Sequence, residues 1–419
     1  MALLLGFMLL TFVGTHPFGD TSVASRSDGN IGDRIAVMSL FGLSLYVLWS
    51  NGRRAMATIV ANIPFLLVIG FCVASILWSD YPALTLRRGL LLFFLTTIAL
   101  GVAVGVTDAR RLHTILFVTL TSIVLLNLAA AIIVPSIAIS NIGMNGLYTQ
   151  KNVAGAVAMI TLILGATWIA GETRPRYTTI AVLALVPTII FLVLTRSRTS
   201  INLAALGTTA VVCFALIERY RAPFIIGAAV FSLLAASGLL VWLAVYDFDF
   251  NLALASVVGD TSFSGRDELW AFSRLDAEKR MWLGHGYGAF WDVGVENDPL
   301  VRAEPGSWLG SVAIGVINQA HHGYLELWLH IGLPMTIIAS LAVGYAAAIG
   351  WFRAVLGPGD RQTRALVCAM ATLLSLHLFH NLTEATLFMR GAPFWNMATL
   401  AVFLISQARI FAGAEKVTA

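Results

Sequence analysis

Long apolar runs follow one another along the chain, separated by short polar segments. A helix needs about 20 apolar residues to cross the roughly 30 Å hydrocarbon core of a bilayer, so each run is a candidate span. The first run is short for a full crossing, and we take it as a tilted or partial span. The pattern predicts an all-α polytopic membrane protein with about twelve transmembrane helices, at 2–14, 34–50, 59–78, 89–106, 113–134, 153–170, 178–195, 200–217, 223–245, 323–351, 364–381 and 385–406.

The composition excludes the other broad classes. Of the 419 residues, 58% are hydrophobic and only 11% are charged, and the mean hydropathy is +0.84. A soluble domain carries roughly 25% charged residues and could not hide so much apolar surface. The three cysteines lie inside apolar runs, which indicates small core residues and neither a disulfide nor a metal site. A soluble enzyme, a disordered chain and a disulfide scaffold are therefore excluded.

The distribution of Lys and Arg predicts the orientation. With the N-terminus inside, thirteen of the 26 bases lie on the inner side, and the outer side holds the other thirteen. Five of the outer bases belong to one long loop, and only short loops count in the positive-inside rule. The comparison is then thirteen against eight, so we expect both termini in the cytoplasm. The pI near 9.1 follows from this topology and does not indicate nucleic-acid binding.

This orientation places one large loop, residues 246–322, on the outer side. It divides the chain into spans one to nine (1–245), the loop, and three further spans with a cytoplasmic tail (323–419). Ser264 with Asp267 resembles a capping box that opens a short helix through Met281. Residues 306–320 are apolar but too short to span, which suggests a re-entrant or interfacial piece. Four tryptophans suit a lid at the membrane interface, at positions 270, 282, 291 and 308.

Several bases lie on the outer side, against the positive-inside trend. Bases placed there are costly in insertion and call for a reason. One reading is that each arginine reaches lipid phosphates from a helix end. The other, which we favour for the set, is a site for a highly charged anion, since Arg and Lys match phosphate oxygens. The candidates for binding a diphosphate are Arg87, Arg88, Lys151, Arg196, Arg198 and Arg266.

His321 is the candidate for proton chemistry. A histidine titrates near neutrality and can accept a proton from a hydroxyl nucleophile. Glu326 and Glu384 could orient it as supporting residues. The alternative is that His321 only caps a helix. No zinc spacing and no Walker motif occur, so we expect neither a metal nor ATP.

These same segments resemble the O-antigen ligase and polymerase superfamily of bacterial membrane glycosyltransferases, and the repeat-unit polymerases of exopolysaccharide production look closest. The resemblance extends in order from about residue 75 to 385. Its motifs are W-S-D-Y-P-A-L-T-L-R-R-G at 78–89, G-L-Y-T-Q-K-N-V-A-G at 146–155, T-R-S-R-T-S at 195–200, S-G-R-D-E-L-W at 264–270, L-G-H-G-Y-G-A-F-W at 283–291, H-H-G-Y-L-E-L at 321–327 and H-N-L-T-E at 380–384.

The resemblance implies a GT-C-like helical architecture and a metal-independent inverting transfer. The ligase pattern of His, an amide or Ser, nine residues and Gly is matched by His321 and Gly332, which gives His321 the role of base. His322 departs from the pattern. The arginines that hold the lipid diphosphate map to Arg196 or Arg198 and to Arg266. The pattern of Arg, three residues and Leu is met at Arg87 and Arg88 but not at Arg266.

We therefore expect a glycosyltransferase in the bacterial inner membrane with its active site facing the periplasm. Its donor would be a glycan linked to undecaprenyl diphosphate, and its acceptor a hydroxyl of another repeat unit, which makes it a polymerase. A ligase that uses the lipid A core as acceptor remains open, and so does a transporter of lipid-linked oligosaccharide. The lipid bilayer and other polysaccharide assembly proteins are the further partners considered, and nucleic acid is not one.

Overall fold

The computed structural model describes residues 1–15, 31–220 and 266–418. In these ranges the chain is almost entirely helical. A two-stranded antiparallel ribbon, β1 (Ile139–Ser140) and β2 (Gly143–Met144), pairs Ile139 with Met144. The helices are α1 (Ala2–Phe12), α2 (Ile31–Ser50), α3 (Gly52–Ala61), α4 (Ile63–Ala74), α5 (Pro82–Gly105), α6 (Ala109–Ile133), α7 (Pro135–Ala138), α8 (Lys151–Gly171), α9 (Pro175–Leu194), α10 (Arg198–Tyr220), α11 (Arg266–Lys279), α12 (Trp308–Ser311), α13 (Gly323–Ile331), α14 (Leu333–Leu356), α15 (Arg361–His380) and α16 (Pro393–Thr418).

Eight of the described helices are long and apolar enough to cross a membrane, namely α2, α5, α6, α8, α9, α10, α14 and α15. This confirms the all-α polytopic class. The number twelve stays a prediction, and the expected span 223–245 lies outside the described residues. The first apolar run forms α1, an 11-residue helix that is shorter than a full span.

Three of the expected spans differ from the structure. The run 59–78 is bent by 83° between α3 and the helical stretch that follows, where Pro64 begins a new helix and lacks the N–H that would continue the old one. The run 323–351 is broken at Gly332, which has a φ of 80°. The run 385–406 becomes helical only at Pro393. In each case the sequence stays apolar across a turn of the backbone, so hydropathy alone predicts one continuous span.

Burial separates the central helices from the peripheral ones. α5, α8 and α15 are mostly buried, whereas α2 and α9 expose most of their apolar side chains. Gly165 of α8 packs so closely on Phe117 and Leu185 that a Cβ would lie 2.5 Å from each side chain. Apolar helices that are exposed in this way suit contact with lipid, because a soluble protein rarely exposes such large apolar patches.

Ion pairs tie the helices together at one end of the bundle. Glu172, after α8, pairs with Arg110 at 2.6 Å and with Arg174 at 3.0 Å. Arg364 of α15 pairs with Glu218 of α10 at 2.6 Å. All five residues belong to the side expected to face the cytoplasm or to its loops. The helix ends that meet here are opposite to the helix ends that form the cavity described below.

Residues 266–322 form a compact layer, which we call the lid, over the other end of the bundle. Leu269 and Ala277 of α11 pack with Trp291, Leu309 and other apolar lid residues on Leu329 of α13. The expected loop helix is α11, and the capping Ser264 lies outside the described residues. In the apolar segment 306–320, α12 is a single turn and the rest is irregular chain that ends at Ala320.

Candidate active site

A cavity of about 640 Å³ opens where α5, α8 and α16 begin and α15 ends, beneath the lid. Polar side chains from separate parts of the chain line it together with backbone and apolar groups. The titratable residues in its wall are Asp33, Arg88, Asp292, Glu326, His330, His380, Glu384 and Arg390. This size falls within the roughly 300–1,000 Å³ of small-molecule sites.

Glu384, in the wall of this cavity, forms a histidine–carboxylate pair with His321. His321 Nδ1 lies 3.5 Å from Glu384 Oε2, and the His321 side chain is 29% exposed while that of Glu384 is 6% exposed. The backbone of His321 adopts a φ of 50°, a left-handed conformation that is costly for a residue with a Cβ. Surrounding contacts must therefore hold the backbone in this conformation, which places the imidazole beside the carboxylate.

The local fold fixes both partners of this pair. His322 caps α13 by accepting a hydrogen bond from Leu325 N at 3.2 Å, which sets the chain direction at His321. Asn381 O accepts from Gly323 N at 2.8 Å, and a Cβ on Gly323 would collide with Asn381. Asn381 Oδ1 in turn accepts from Leu387 N at 2.7 Å and shapes the turn that carries Glu384.

Glu384 is held by two further donors. Asn152 Nδ2 donates to Glu384 Oε1 at 2.7 Å, and Arg266 Nη2 lies 3.4 Å from the same oxygen. Arg266 Nη1 also donates to Thr383 O at 2.7 Å. Burial raises the pKa of Glu384, but the neighbouring His321, together with the charges of His380 and Arg266, outweighs this effect and lowers the pKa below its ordinary value. The carboxylate is therefore ionised at neutral pH.

Glu326 acts on the same histidine through the backbone. Its Oε2 accepts from Ala320 N at 2.7 Å, directly before His321, and from Trp291 Nε1 at 3.0 Å. Its Oε1 lies 3.3 Å from His330 Nε2. Glu326 does not contact the His321 ring, so it positions the chain at residue 320 and links it to the lid.

Arg88 fastens the lid to α5. Its side chain is buried and donates to three backbone carbonyls, those of Gly288, Trp291 at 2.9 Å and Asp292 at 3.0 Å. A guanidinium with several donors in a fixed fork suits such a cluster of carbonyls. Arg88 lines the cavity, but much of its hydrogen-bonding capacity is used within the protein.

The other expected bases lie around the cavity and not in its wall. Arg87, Arg196 and Arg198 are exposed. Lys151 Nζ donates to Ile142 O at 3.1 Å. The turn that carries Arg196 and Arg198 nevertheless adjoins the site, because Ser197 Oγ donates to Asn152 Oδ1 at 3.2 Å. Their role in binding a diphosphate stays a prediction.

Two residues of the site were missed in the sequence. Asn152 belongs to the motif at 146–155 but draws no attention as a neutral amide, although it makes the shortest hydrogen bond to Glu384 among those described. Arg390 is another base against the positive-inside trend. It lies six residues after Glu384, the last residue of the motif at 380–384, and it lines the cavity. Its position among the outer bases could have identified it. Among the described residues no cluster of three His, Cys, Asp or Glu side chains suits a metal ion.

A family model described as O-antigen ligase matches residues 180–340. We call this matched range, residues 180–340, the O-antigen ligase domain. The superfamily indicated by the sequence motifs is thereby confirmed, and its members are glycosyltransferase-like enzymes with lipid-linked glycan and acceptor substrates in a membrane. A comparison with curated proteins finds no significant match.

The O-antigen ligase domain supplies only part of the candidate site. His321, Glu326 and Arg266 lie inside the matched range, and so does the whole lid. Asn152 precedes the range and Glu384 follows it, yet both contact the site as described above. Segments on either side of the O-antigen ligase domain, α8 and the turn after α15, therefore complete the surroundings of its histidine.

Proposed function

We propose that the protein transfers a glycan from undecaprenyl diphosphate to an acceptor hydroxyl at the periplasmic face of the inner membrane. The observation that carries this proposal is the pairing of His321 with the ionised Glu384 at the edge of the cavity. A carboxylate on Nδ1 leaves Nε2 to take a proton, the arrangement that general-base histidines use. The O-antigen ligase domain supports the reaction class.

In the proposed reaction, His321 Nε2 accepts the proton of the acceptor hydroxyl as its oxygen attacks the anomeric carbon. The bond from that carbon to the diphosphate oxygen breaks, and the diphosphate leaves with the electron pair. A single displacement of this kind inverts the anomeric configuration. Glu384 stabilises the imidazolium that forms, and Asn152 and Arg266 keep the carboxylate in place.

Outer bases stabilise the departing diphosphate in this proposal. Arg266 lies beside the His321–Glu384 pair, and Arg196 and Arg198 adjoin it through Ser197 and Asn152. Positive groups fixed where charge develops lower the barrier without reorganising. The lid covers the cavity and limits the access of water, which would compete with the acceptor for the anomeric carbon. No metal is needed in this scheme because guanidinium groups take its place.

We favour a polymerase, with a second repeat unit as acceptor, because the segments 78–89 and 146–155 resemble polymerases most. A ligase that uses the lipid A core is the second candidate, since the matched family model is described as O-antigen ligase. Purified protein in liposomes is supplied with undecaprenyl-diphosphate-linked repeat unit, with and without lipid A core. Chain growth without core supports the polymerase, and capping of the core supports the ligase. No transfer by folded protein that binds the donor would favour transport and overturn the proposal.

The base is tested by His321→Ala, with His322→Asn as the matched control. Removing a general base lowers the rate by about 10²–10⁴-fold, so we expect His321→Ala to lose nearly all transfer. Asparagine retains a side-chain acceptor for the α13 cap, so His322→Asn keeps the local fold and its activity. Equal activity of His321→Ala and wild-type protein would contradict the assignment.

A further inference from the structure

Arg390 presents a guanidinium to the cavity beside the lid. It lies in the irregular segment between α15 and α16, and it is half-buried. Its backbone N donates to Tyr287 Oη at 3.3 Å, and Tyr287 Oη donates to Phe388 O at 2.5 Å. Tyr287 is 1% exposed. The segment that carries Arg390 is thus anchored to a buried tyrosine of the lid.

Gly288 makes room for two guanidinium groups at this point. A Cβ on Gly288 would lie 2.8 Å from Arg88 Cδ and 3.3 Å from Arg390 Nη1. The two arginines differ in what they bind. Arg88 is occupied by the three lid carbonyls, whereas no carboxylate in the described part of the chain forms an ion pair with Arg390. In the described part of the chain neither arginine forms an ion pair, but only Arg88 has a cluster of backbone carbonyls that occupies its donors.

A charge that is partly removed from water and forms no ion pair is costly, so the guanidinium of Arg390 suits an anionic ligand. Burial lowers the pKa of Arg390, and the neighbouring positive charge of Arg87 lowers it further, while Tyr287 and Asp292 oppose these effects in part. An anion bound in the cavity would offset the free-energy cost of burying this charge, because charge-assisted hydrogen bonds from a guanidinium to oxyanions are among the strongest in proteins.

We propose that Arg390 binds an oxyanion of the substrate, either a phosphate or a carboxylate group, in the cavity. This inference deepens the proposed function, on which it rests for the identity of the substrate. The oxyanion is then either the diphosphate of the lipid donor or an acidic sugar of the glycan. Arg88 shapes this subsite by holding Gly288 in place, and it does not compete for the ligand.

The test measures binding by the purified full chain in detergent, with inorganic pyrophosphate and methyl glucuronide as probes in separate titrations. Arg390→Gln removes the charge, Arg390→Lys keeps it without the fork, and Arg176→Gln removes an exposed arginine from the opposite end as the matched control. We expect Arg390→Gln to raise the Kd of one of the two probes by about tenfold or more. We expect a smaller loss in Arg390→Lys and none in Arg176→Gln.

The two probes separate the two sources of the anion. A loss confined to pyrophosphate assigns the subsite to the donor diphosphate, and a loss confined to methyl glucuronide assigns it to an acidic sugar. If wild-type protein binds neither probe, or if Arg390→Gln binds both as wild-type protein does, the inference is wrong. Binding is measured without turnover. If binding depends on Arg390 but the protein transfers no glycan, the proposed function is wrong and the oxyanion subsite still stands.

Discussion

The backbone of His321 is strained, so substitutions at this position should affect the stability of the protein and its activity differently. With φ at 50°, a side chain with a Cβ is disfavoured by about 1–2 kcal/mol, whereas glycine adopts this conformation freely. We expect His321→Gly and His321→Ala to be equally inactive. The glycine variant should unfold at a higher temperature than the alanine variant in the same detergent. A lower unfolding temperature for the glycine variant would show that the left-handed backbone is not a source of strain.

The carboxylate of Glu384 predicts a pH dependence of stability. Its pKa in the folded protein lies below the ordinary value of 4.5, so its ionised form contributes stability above that pH and loses it as the pH falls through the lower, folded value. The difference in the thermal unfolding midpoint between wild-type protein and Glu384→Gln that arises from this carboxylate should thus be fully present at about pH 5.5. It should shrink in more acidic buffer. A difference that grows on acidification would reverse the sign assigned to this pKa shift.

At the scale of elements, Arg88 couples α5 to the lid. Its donors satisfy three carbonyls at 288–292, and leaving a buried carbonyl without a partner costs about 1–3 kcal/mol. Arg88→Gln cannot reach all three. We expect faster hydrogen–deuterium exchange in peptides that cover 284–292 and unchanged exchange in α8. Arg87→Gln, one residue away and exposed, is the control and should leave the exchange of both regions unchanged. Similar acceleration in the two variants would argue against the coupling.

The break at Gly332 yields a second prediction for an element. Gly332 has a φ of 80°, and a Cβ there would lie 2.1 Å from Trp282 O. Gly332→Ala therefore forces the end of α13 away from the lid and should lower the unfolding temperature. Gly344 is the control, because a Cβ there meets only one atom at 4.0 Å and its helix continues. Gly344→Ala should be as stable as wild-type protein or slightly more stable. Equal stability of the two alanine variants would contradict the observed break.

How much the sequence predicts depends on the kind of signal. Hydropathy found the apolar runs, because membrane spans need them whatever the tertiary fold. It ran across Gly332 and Pro334, and across Pro64, because turns within apolar sequence do not change the mean hydropathy. His321 and Glu384 were found from motifs, but their pairing depends on Asn381, which joins two segments far apart in sequence. The role of Asn152 follows from tertiary contacts that no local pattern encodes, whereas Arg390 could be recognised in the sequence as one more outer base.

At the scale of the whole molecule, the ion pairs of Glu172 and Glu218 lie at the opposite end of the bundle from the cavity, and this arrangement gives a test of the topology. Arg174 pairs with Glu172 at the end expected to be cytoplasmic, and Arg176 is exposed near it. Arg87 is exposed at the cavity end, one residue before Arg88. If the protein inserts as predicted, a reagent that cannot cross the inner membrane reaches position 87 and not position 176.

Cysteine labelling tests this topology. Arg87→Cys and Arg176→Cys are placed singly in a background in which all three native cysteines are replaced by alanine, and a membrane-impermeant maleimide is applied to intact cells with a permeable outer membrane. We expect Arg87→Cys to be labelled, and Arg176→Cys to be labelled only after the inner membrane is opened, because only the first faces the periplasm. The opened cells control for reactivity at both positions. Labelling of Arg176→Cys in intact cells, with Arg87→Cys protected, would place the cavity and its histidine in the cytoplasm. The lipid-linked donor proposed for the periplasmic face could then not reach the site.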